Sequence, residues 1–592
     1  MLKRLLFIFL FLIPNNLVMA TITPIIVVTP SGYEMPLNRI GSSVTVITAS
    51  DIEASGYTTV SEILNTVPGI NAVTNGFGGT VGLFSRGHDS DMTKIMLDGI
   101  DLNDPSALGT TPVLATLMLN NIEQIEIVLG PQSLIAGADA MGGVINIITK
   151  KGIFNNEAGA YTGSDGTSNL SSSLAFAYND FNINLNLNEF ETDGINVRSA
   201  GNDDLDGFDQ SSISLNLSRN FEKLIFDLSY KNEAGRVEFD ESVSQSKKIY
   251  ADNDYTFFRA GLSFDLNPKS NIRVEYNNSD FDRKSYGRWA DASYYSEVEG
   301  FKLNSMYLVN SNNTAFFGLE TKSEKYTGTY GPSNNDSVSE ISYFAQNEFK
   351  IGQLTTLLAG IRLDDNDEFG THETYRFTAN HVSQNLSGLI FKLSIGTGFR
   401  APSLSEMYDG TYGNTNLDPE TSFGYDFGFV NYISSNVSMG STYFMSEIED
   451  SISWALSGYY NASGKSERDG IETFVNIYPN DKSEIKLSHT HLMTDEKVLV
   501  RRPNNTLTAS INYKLNNKIN IYGNLNAVEK HYDTSSAVIE SYEIINLGMR
   551  YDLNSNSLLN FRINNLTDET YEQVSGYPGL PRQVFIGLDY QF

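Results

Sequence analysis

The chain has 592 residues, no cysteine, and 71 acidic against 41 basic residues, which gives a formal net charge of −30. This length exceeds what one soluble core usually supports, so it predicts two domains or one very large barrel. The lack of cysteine excludes disulfides and thiol catalysis, while the acidity argues against a nucleic-acid partner and leaves bound divalent cations or solvated loops as its explanation.

The N-terminus has the pattern of a secretory signal peptide. Lys3 and Arg4 precede an apolar run at residues 5–13, and Ala20 supplies a small residue at the expected cleavage point. The run is shorter than the roughly 20 apolar residues that a membrane-spanning helix needs. A buried N-terminal helix is the alternative, but Pro14 ends the run at once. We expect residues 1–20 to be removed on export.

The predicted mature chain opens on a short β-branched stretch between two prolines. Such a stretch favours a strand, and without a neighbouring partner of its own it can be offered to the sheet edge of another protein. An ordinary edge strand is the simpler alternative. The stretch consists of Ile25, Ile26, Val27, Val28, Thr29 and Pro30.

Residues 40–152 have the pattern of a small α+β domain. An N-cap is predicted at residues 50–52, and apolar residues at helical spacing predict a helix that ends before Pro68 and Gly69. Short strands are predicted at 83–87, 94–99 and 122–128. Two loops, at 75–80 and 101–111, connect these elements, and loops of this kind commonly present atoms to a ligand.

The remainder of the chain alternates apolar and polar residues over many short segments, for example 181–188, 213–218 and 224–230. Alternation is typical of a soluble sandwich with its apolar face inward, or of a transmembrane barrel with that face toward lipid. The export signal and the recurrence of strands over more than 400 residues favour the barrel, with roughly 22 strands. The last strand places one apolar set on a single face: Val584, Ile586, Leu588, Tyr590 and Phe592.

The N-terminal domain carries an ordered set of motifs: Pro68-Gly69, Arg86-Gly87, Leu97-Asp98-Gly99-Ile100, residues 126–131 and residues 142–149. This set closely resembles the plug domain of TonB-dependent outer-membrane receptors. Two barrel stretches, residues 398–420 and 564–571, resemble recurrent motifs of the same family. Leu129 departs from the family, which usually has arginine there, and this bears on one ionic contact that commonly ties plug to barrel.

The resemblance implies a transmembrane β-barrel of about 22 antiparallel strands with an α+β plug inside its lumen. It divides the chain into a signal peptide (1–20), a TonB box with linker (21–39), a plug (40–152) and a barrel (153–592). It implies active transport energised by the TonB protein, with outer-membrane lipid around a monomer. Neither a redox cofactor nor catalysis is expected, so the chain is predicted to be a transporter and not an enzyme.

An acidic cluster is the main indication of the ligand. Alternate residues of an extended segment share a face, so Asp204 and Asp206 can converge, and carboxylate and amide oxygens are the ligands that Ca²⁺ prefers. The spacing resembles the calcium-binding outer loops of the vitamin B12 (cobalamin) receptor branch. By that resemblance the candidate ligands also include Asn196, Asn202 and Asp240. A solvated acidic loop is the alternative.

Residues 576–582 also resemble the cobalamin receptor branch. The resemblance implies that cobalamin settles on the two plug loops once calcium has neutralised the acidic cluster. Its polar contacts are expected from Asn75, Thr80, Asn103 and Thr110.

Three other kinds of function are alternatives to cobalamin transport. A ferric-siderophore or haem receptor shares the fold; haem usually needs an axial histidine, for which His88 is a candidate, although a structural role suits it better. An outer-membrane hydrolase would need a catalytic set, and His489 with His491 lacks an evident third metal ligand. A passive porin would have no use for a plug or a coupling segment.

Overall fold

The computed structural model describes residues 25–107, 109–198, 204–240, 248–287, 291–331, 336–384, 386, 388–495, 499–534 and 536–592. The predicted signal peptide and Asn202 lie outside them. The described residues form a closed antiparallel barrel of 22 strands around a small α+β domain, as predicted. No helix among them is long and apolar enough to cross a membrane.

The inner domain, or plug, packs short helices against a five-stranded sheet. The plug and the segment before it contain β1 (Ile26–Val27), β2 (Met35–Pro36), β3 (Ser43–Thr48), α1 (Ala49–Ser55), α2 (Val60–Leu64), β4 (Ile70–Thr74), β5 (Val81–Ser85), β6 (Thr93–Leu97), β7 (Ile100–Asp101), β8 (Ile122–Leu129), α3 (Ser133–Ala136) and β9 (Gly143–Thr149). The sheet order is β3-β8-β9-β6-β7, with β6 parallel to β9. Leucine, isoleucine and valine from α2 and the sheet fill the core beneath it.

Both plug helices of the N-terminal half begin at capping boxes. Thr48 accepts a hydrogen bond from the backbone of Asp51, whose carboxylate accepts one from the backbone of Thr48 in return. Thr59 and Glu62 repeat this arrangement at α2. The predicted N-cap at residues 50–52 is therefore wrong by two residues, because the reciprocal pair that satisfies the first amides begins at Thr48.

The barrel closes where its first and last strands pair. In chain order its elements are β10 (Glu157–Gly163), β11 (Ser168–Tyr178), β12 (Phe181–Ile195), β13 (Asp206–Asn220), β14 (Leu224–Phe239), β15 (Ile249–Asn267), β16 (Ser270–Tyr286), β17 (Ala292–Asn310), β18 (Asn313–Gly328), β19 (Asp336–Ile351), β20 (Thr355–Asn366), β21 (Gly370–Val382), β22 (Leu389–Arg400), α4 (Leu404–Tyr408), β23 (Glu420–Ser434), β24 (Val437–Glu449), β25 (Ile452–Ala455), β26 (Gly458–Asn461), β27 (Lys465–Asn480), β28 (Ser483–Leu492), β29 (Asn505–Lys514), β30 (Ile519–Val528), β31 (His531–Tyr532), β32 (Val538–Ile539), β33 (Tyr542–Asp552), β34 (Ser557–Asn564), β35 (Glu572–Val574), β36 (Tyr577–Pro578) and β37 (Gln583–Gln591). β25-β26, β31-β32 and β35-β36 are small hairpins outside the ring. β10 pairs antiparallel with β37, so the ring has no free edge.

The alternating pattern has its apolar face outward, as the barrel interpretation requires. On β12 the apolar Leu187 is exposed, whereas Asn186 and Asn188 on either side of it are buried toward the lumen. The last strand repeats this arrangement, and the five apolar residues predicted to share a face are each between 41% and 58% exposed. A continuous apolar outer face fits a lipid surface.

Arg86 of the plug is a buried link to the barrel wall. Its Nη1 donates to Asp426 at 2.7 Å, and its Nε and Nη2 donate to the two carboxylate oxygens of Glu472, each at 2.7 Å. Burial acts to lower the pKa of Arg86, but the two carboxylates raise it above its ordinary range, so the charge is retained. Leu129 is buried in the plug core, and Arg86 pairs with both carboxylates.

Replacing Arg86 with methionine is expected to loosen the plug. The change leaves two buried carboxylates without their cation, which costs about 3–5 kcal/mol in comparable sites. Urea-dependent proteolysis of the plug measures the loss. The matched control is the triple variant Arg86→Met/Asp426→Asn/Glu472→Gln, which is expected to recover most of the stability; a single variant as stable as the wild type would contradict the role of this link.

Ile586→Lys is expected to destabilise the barrel by about 2–4 kcal/mol, because it places a charge on the lipid face of the last strand. Ser173→Lys is the control, since Ser173 lines a polar cavity on the lumen side of β11. Folding into lipid bilayers under increasing urea measures both. Equal losses for the two variants would contradict the assignment of the faces.

Candidate ligand cavity, acidic cluster and N-terminal segment

A cavity of about 840 Å³ lies above the plug, between its loops and the barrel wall. The plug contributes Asn75, Thr80 and residues 111–116 to its lining. The carboxamide oxygen of Asn75 is buried and has no hydrogen-bond partner among the described residues, so it is available to a ligand. The wall and outer loops add a group of aromatic residues: Tyr255, Tyr294, Tyr326, Tyr330, Tyr412 and Tyr577.

Two of the predicted ligand contacts do not line this cavity. Asn103 is buried; its side-chain oxygen accepts from the amide of Ile95 at 3.0 Å, and its nitrogen donates to the carbonyl of Thr110 at 3.3 Å. Thr110 is also buried, at a positive φ of 51°. Both residues therefore shape the loop from beneath the cavity, and ligand contacts at Asn103 and Thr110 stay a prediction.

The basic residues of the cavity are already paired. Arg283 reaches Asp104 of the plug with its Nε at 2.9 Å from Oδ2, and it also donates to Ser106 at 2.9 Å. Lys284 pairs with Asp282 at 2.9 Å. Among the described lining residues no other arginine or lysine occurs, so the cavity offers aromatic, neutral polar and carboxylate groups rather than an unpaired cation.

The predicted acidic cluster is assembled at the rim, on the loop sides of β13 and β14. Asp206 is buried, and its Oδ2 accepts from the amide of Val197 at 2.9 Å. The carboxylates of Asp204, Asp240 and Glu238 are close enough to repel it. The structure therefore brings together three of the predicted metal ligands, Asp204, Asp206 and Asp240.

The donor chemistry of this cluster fits a hard cation, since every candidate group is an oxygen. The Oδ1 of Asp204 is buried without a hydrogen-bond partner among the described residues, as expected of a ligand atom. Asn196 turns its side-chain oxygen to the amide of Arg198 at 3.0 Å. Within the described ranges, no three His, Cys, Asp or Glu side chains form a ready-made metal site.

The histidines that suggested other functions lie away from the cavity. His88 is buried between plug and wall, with Nδ1 at 2.9 Å from the carbonyl of Ser85 and Nε2 at 3.1 Å from the hydroxyl of Ser446. Burial, with a guanidinium nearby, lowers the pKa of His88 to about 3, so it is neutral at ordinary pH. His491 bonds to Asn505 at 2.9 Å on β28. The structural interpretation of His88 is supported.

At the other end of the barrel, residues 25–30 are docked against the plug. β1 pairs with β2, and the amides of Val28 and Thr29 donate to the carboxylate of Glu126, at 3.1 and 2.8 Å to Oε2. Glu126 is fully buried. From the wall, Nη1 of Arg376 donates to the carbonyl of Pro30 at 2.9 Å. The plug thus binds backbone amides of the segment, and the barrel wall binds one of its carbonyls.

The side chains of the docked segment divide by exposure. Val27 is completely buried against Met35 and Ile40, whereas Ile25, Ile26 and Val28 are each 37–41% exposed. Another protein cannot add a strand at the Val28 and Thr29 amides while Glu126 holds them. The segment has to leave Glu126 before it can pair fully with a partner strand.

Sequence reasoning missed the tyrosine lining, the pairing of Arg283 with Asp104, and the Glu126 contact. The tyrosines are spread from residue 255 to residue 577, so no local spacing connects them. Glu126 lies within the alternating run of β8, where one signal was visible: an acidic residue on a strand otherwise suited to full burial.

Comparisons with known proteins agree with this architecture. A family model described as "TonB dependent receptor-like, beta-barrel" matches residues 151–566, and one described as "TonB-dependent Receptor Plug Domain" matches residues 36–144. The chain is 26% identical over 610 residues to the vitamin B12 transporter BtuB of Vibrio vulnificus, covering 96% of this chain and 95% of that protein. Its identity to BtuB of Vibrio cholerae is also 26%, over 600 residues with the same coverage.

Solved structures share the fold at lower identity. The siderophore receptor PirA from Acinetobacter baumannii has a TM-score of 0.80 at 16% identity, covering 94% of this chain and 98% of that chain. A mutant of the ferric enterobactin receptor PfeA from Pseudomonas aeruginosa has a TM-score of 0.78 at 17% identity, with the same coverage. Together with the two family models, these matches show that the chain belongs to the TonB-dependent receptor family of outer-membrane β-barrel transporters.

Proposed function

We propose that this receptor imports cobalamin across the outer membrane. The observation that carries the proposal is the charge of the cavity: Arg283 and Lys284 are each paired with an aspartate, so the aromatic lining carries no unpaired cation among its described residues. A large ligand without strong negative charge suits such a lining, whereas an anionic ferric siderophore favours a basic one. The curated relatives named as vitamin B12 transporters, similar over nearly the full chain, support the same choice.

In this proposal the corrinoid rests on the plug loop at residues 75–80. Asn75 supplies an unpaired carboxamide oxygen and Thr80 a hydroxyl group, while the surrounding tyrosines provide flat apolar faces and hydroxyl tips. Asn103 and Thr110 contribute indirectly, since their mutual contact fixes the neighbouring loop. Binding requires no covalent step, which agrees with a family of transporters.

Calcium is proposed to complete the rim of the cavity. Asp204, Asp206 and Asp240 would hold the ion with the side-chain oxygens of Asn196 and Asn202. The ion would neutralise carboxylates that now repel one another and so stabilise the outer loops over the bound ligand.

Residues 25–30 are proposed to be the TonB box. Ligand binding would weaken the grip of Glu126 on this segment, and the released strand would pair with the TonB protein in the periplasm. Pulling on that strand would use energy from the inner membrane to move the plug.

Calcium is expected to strengthen cyanocobalamin binding to the purified receptor at least tenfold. Equilibrium binding in millimolar calcium and after chelation measures this effect, with ferric enterobactin and haem as competing ligands. Asp204→Asn/Asp206→Asn is expected to remove the calcium dependence, whereas Asp180→Asn, on an exposed turn, serves as the matched control. Failure to bind cyanocobalamin in millimolar calcium would refute the proposed ligand.

Val27→Pro is expected to abolish uptake while leaving ligand binding unchanged. Proline removes a backbone donor from the segment that must pair with TonB, and it lies far from the outer cavity. Val27→Ala controls for loss of the buried side chain. Uptake of radiolabelled ligand by cells provides the measurement, and transport by the proline variant at the level of the control would contradict the assignment of the box.

A further inference from the structure

The plug is held very unevenly by the barrel wall. The ion pairs between described residues of the plug and of the wall involve strands β16 to β33 or their loops. Examples are Arg86 with Asp426 and Glu472, and Arg283 with Asp104. Additional ion pairs on that side join Lys322 to Asp139, Arg400 to Asp91, Lys486 to Asp51, Arg502 to Asp89 and Arg550 to Glu53. Among the described residues, no ion pair joins the plug to the first five strands, β10 to β14.

On the β10 to β14 side the plug presents the segment at residues 113–122, which we call the seam segment. The wall contacts it through two hydrogen bonds at Thr116: its hydroxyl donates to Glu233 at 2.8 Å, and its carbonyl accepts from Gln210 at 2.9 Å. Within the plug the segment is attached to the start of α2 through the amides of Val60 and Leu119. The segment is thus anchored within the plug, where Leu114, Leu117 and Leu119 join the core, whereas no ion pair among the described residues fixes it to the wall.

Three cavities follow one another along the seam segment. The outer ligand cavity, about 840 Å³, is lined by residues 113–116. A small cavity of about 40 Å³ follows, lined by Leu117, Met118 and residues 120–122. A third cavity of about 390 Å³ is lined by residues 119–122 and continues to the turn between β33 and β34. The row extends from the outer cavity to the opposite end of the barrel.

Near its outer end an apolar contact interrupts this row, beside the two hydrogen bonds at Thr116. Met118 of the seam segment packs against Phe190, Phe208 and Val237 of the wall. Contacts of this kind are non-directional, and methionine adapts its shape easily, so the contact can part and re-form without leaving a charge unpaired. Met118 therefore has the properties of a reversible seal.

Below the seal the facing surfaces are polar and incompletely paired. On the wall, Asn186 Oδ1, Asn188 Nδ2 and Gln210 Oε1 are buried without hydrogen-bond partners among the described residues. On the plug, both side-chain polar atoms of Asn121 are likewise buried without a hydrogen-bond partner among the described residues, and Asn121 has a positive φ of 63°. Water commonly bonds to buried polar groups that lack a protein partner. Water can therefore enter between the seam segment and the wall without first breaking hydrogen bonds of these atoms.

The seam segment is also directly linked to the N-terminal segment. Its last residue, Ile122, begins β8, and β8 carries Glu126, which holds the amides of Val28 and Thr29. A pull on residues 25–30 is therefore transmitted through Glu126 to a strand that starts where the seam segment ends.

We propose that the transported nutrient crosses between the seam segment and the wall of β10 to β14, with Met118 as the gate. The ion pairs on the other side keep most of the plug in place while the seam opens. This route depends on the transport function of the family and not on which nutrient is carried.

Two methionine variants test the gate without any nutrient. Met118→Ala removes the seal, whereas Met92→Ala makes the same change in a buried cluster with Met141 and Ile448, on the ion-paired side. Conductance in planar bilayers is expected to rise at least tenfold for Met118→Ala and to remain at the wild-type level for Met92→Ala. An unchanged conductance for Met118→Ala, or an equal rise in both variants, would overturn the proposal.

Tethers across each side of the plug test the route itself. The chain has no cysteine, so Thr116→Cys/Gln210→Cys and His88→Cys/Ser446→Cys can each be bridged with dibromobimane, and monobromobimane gives the untethered controls. The seam tether is expected to lower nutrient uptake at least tenfold, with surface binding intact; the other tether is expected to preserve at least half of the uptake. Equal loss with both tethers, or no loss with the seam tether, would refute the route. If wild-type protein does not bind cyanocobalamin, the proposed ligand fails, while the conductance pair still decides the gate.

Discussion

A strand barrel in lipid must pair every backbone group within its own ring, and this constraint sets the rest of the structure. The pairing of β10 with β37 closes a ring of 22 strands, whose lumen is wide enough to contain a folded domain. The lumen face is largely polar, so hydrogen bonds and buried ion pairs hold the plug at particular points of the wall. Apolar packing adds to them where Tyr255, Phe257 and Phe281 of the wall join the plug core.

Those points are concentrated on one side, and the asymmetry connects the functional parts. Arg86 fixes the plug near β23 and β27, whereas the seam segment meets β13 and β14 through two hydrogen bonds at Thr116. The outer cavity ends at that seam, and Glu126 connects the same region to the N-terminal segment. One strand, β8, thus lies between the proposed TonB box and the seam segment.

The sequence was sufficient for the architecture because the barrel has a period of two and the plug carries ordered glycine motifs. Strand ends were less predictable: β12 continues to Ile195, beyond the predicted segment 181–188, because outside the hydrocarbon layer no apolar alternation is required. Asp204, Asp206 and Asp240 could be singled out because clustered carboxylates are visible along a chain, and their role as metal ligands stays a prediction. The tyrosine lining of the cavity could not be predicted from the sequence, since its members lie on strands and loops up to more than 300 residues apart. The burial of Asn103 and Thr110 was not visible in the sequence, because exposure within a polar loop cannot be distinguished by composition alone.

The proposed cobalamin transport is tested most directly by an experimental structure of the receptor with cyanocobalamin and calcium. We expect the corrinoid in the tyrosine-lined cavity against Asn75 and Thr80. We also expect a calcium ion among Asp204, Asp206 and Asp240, and residues 25–30 released from Glu126. A corrinoid bound elsewhere, or a filled cavity with the N-terminal segment still held by Glu126 and no ion at the acidic cluster, would contradict it.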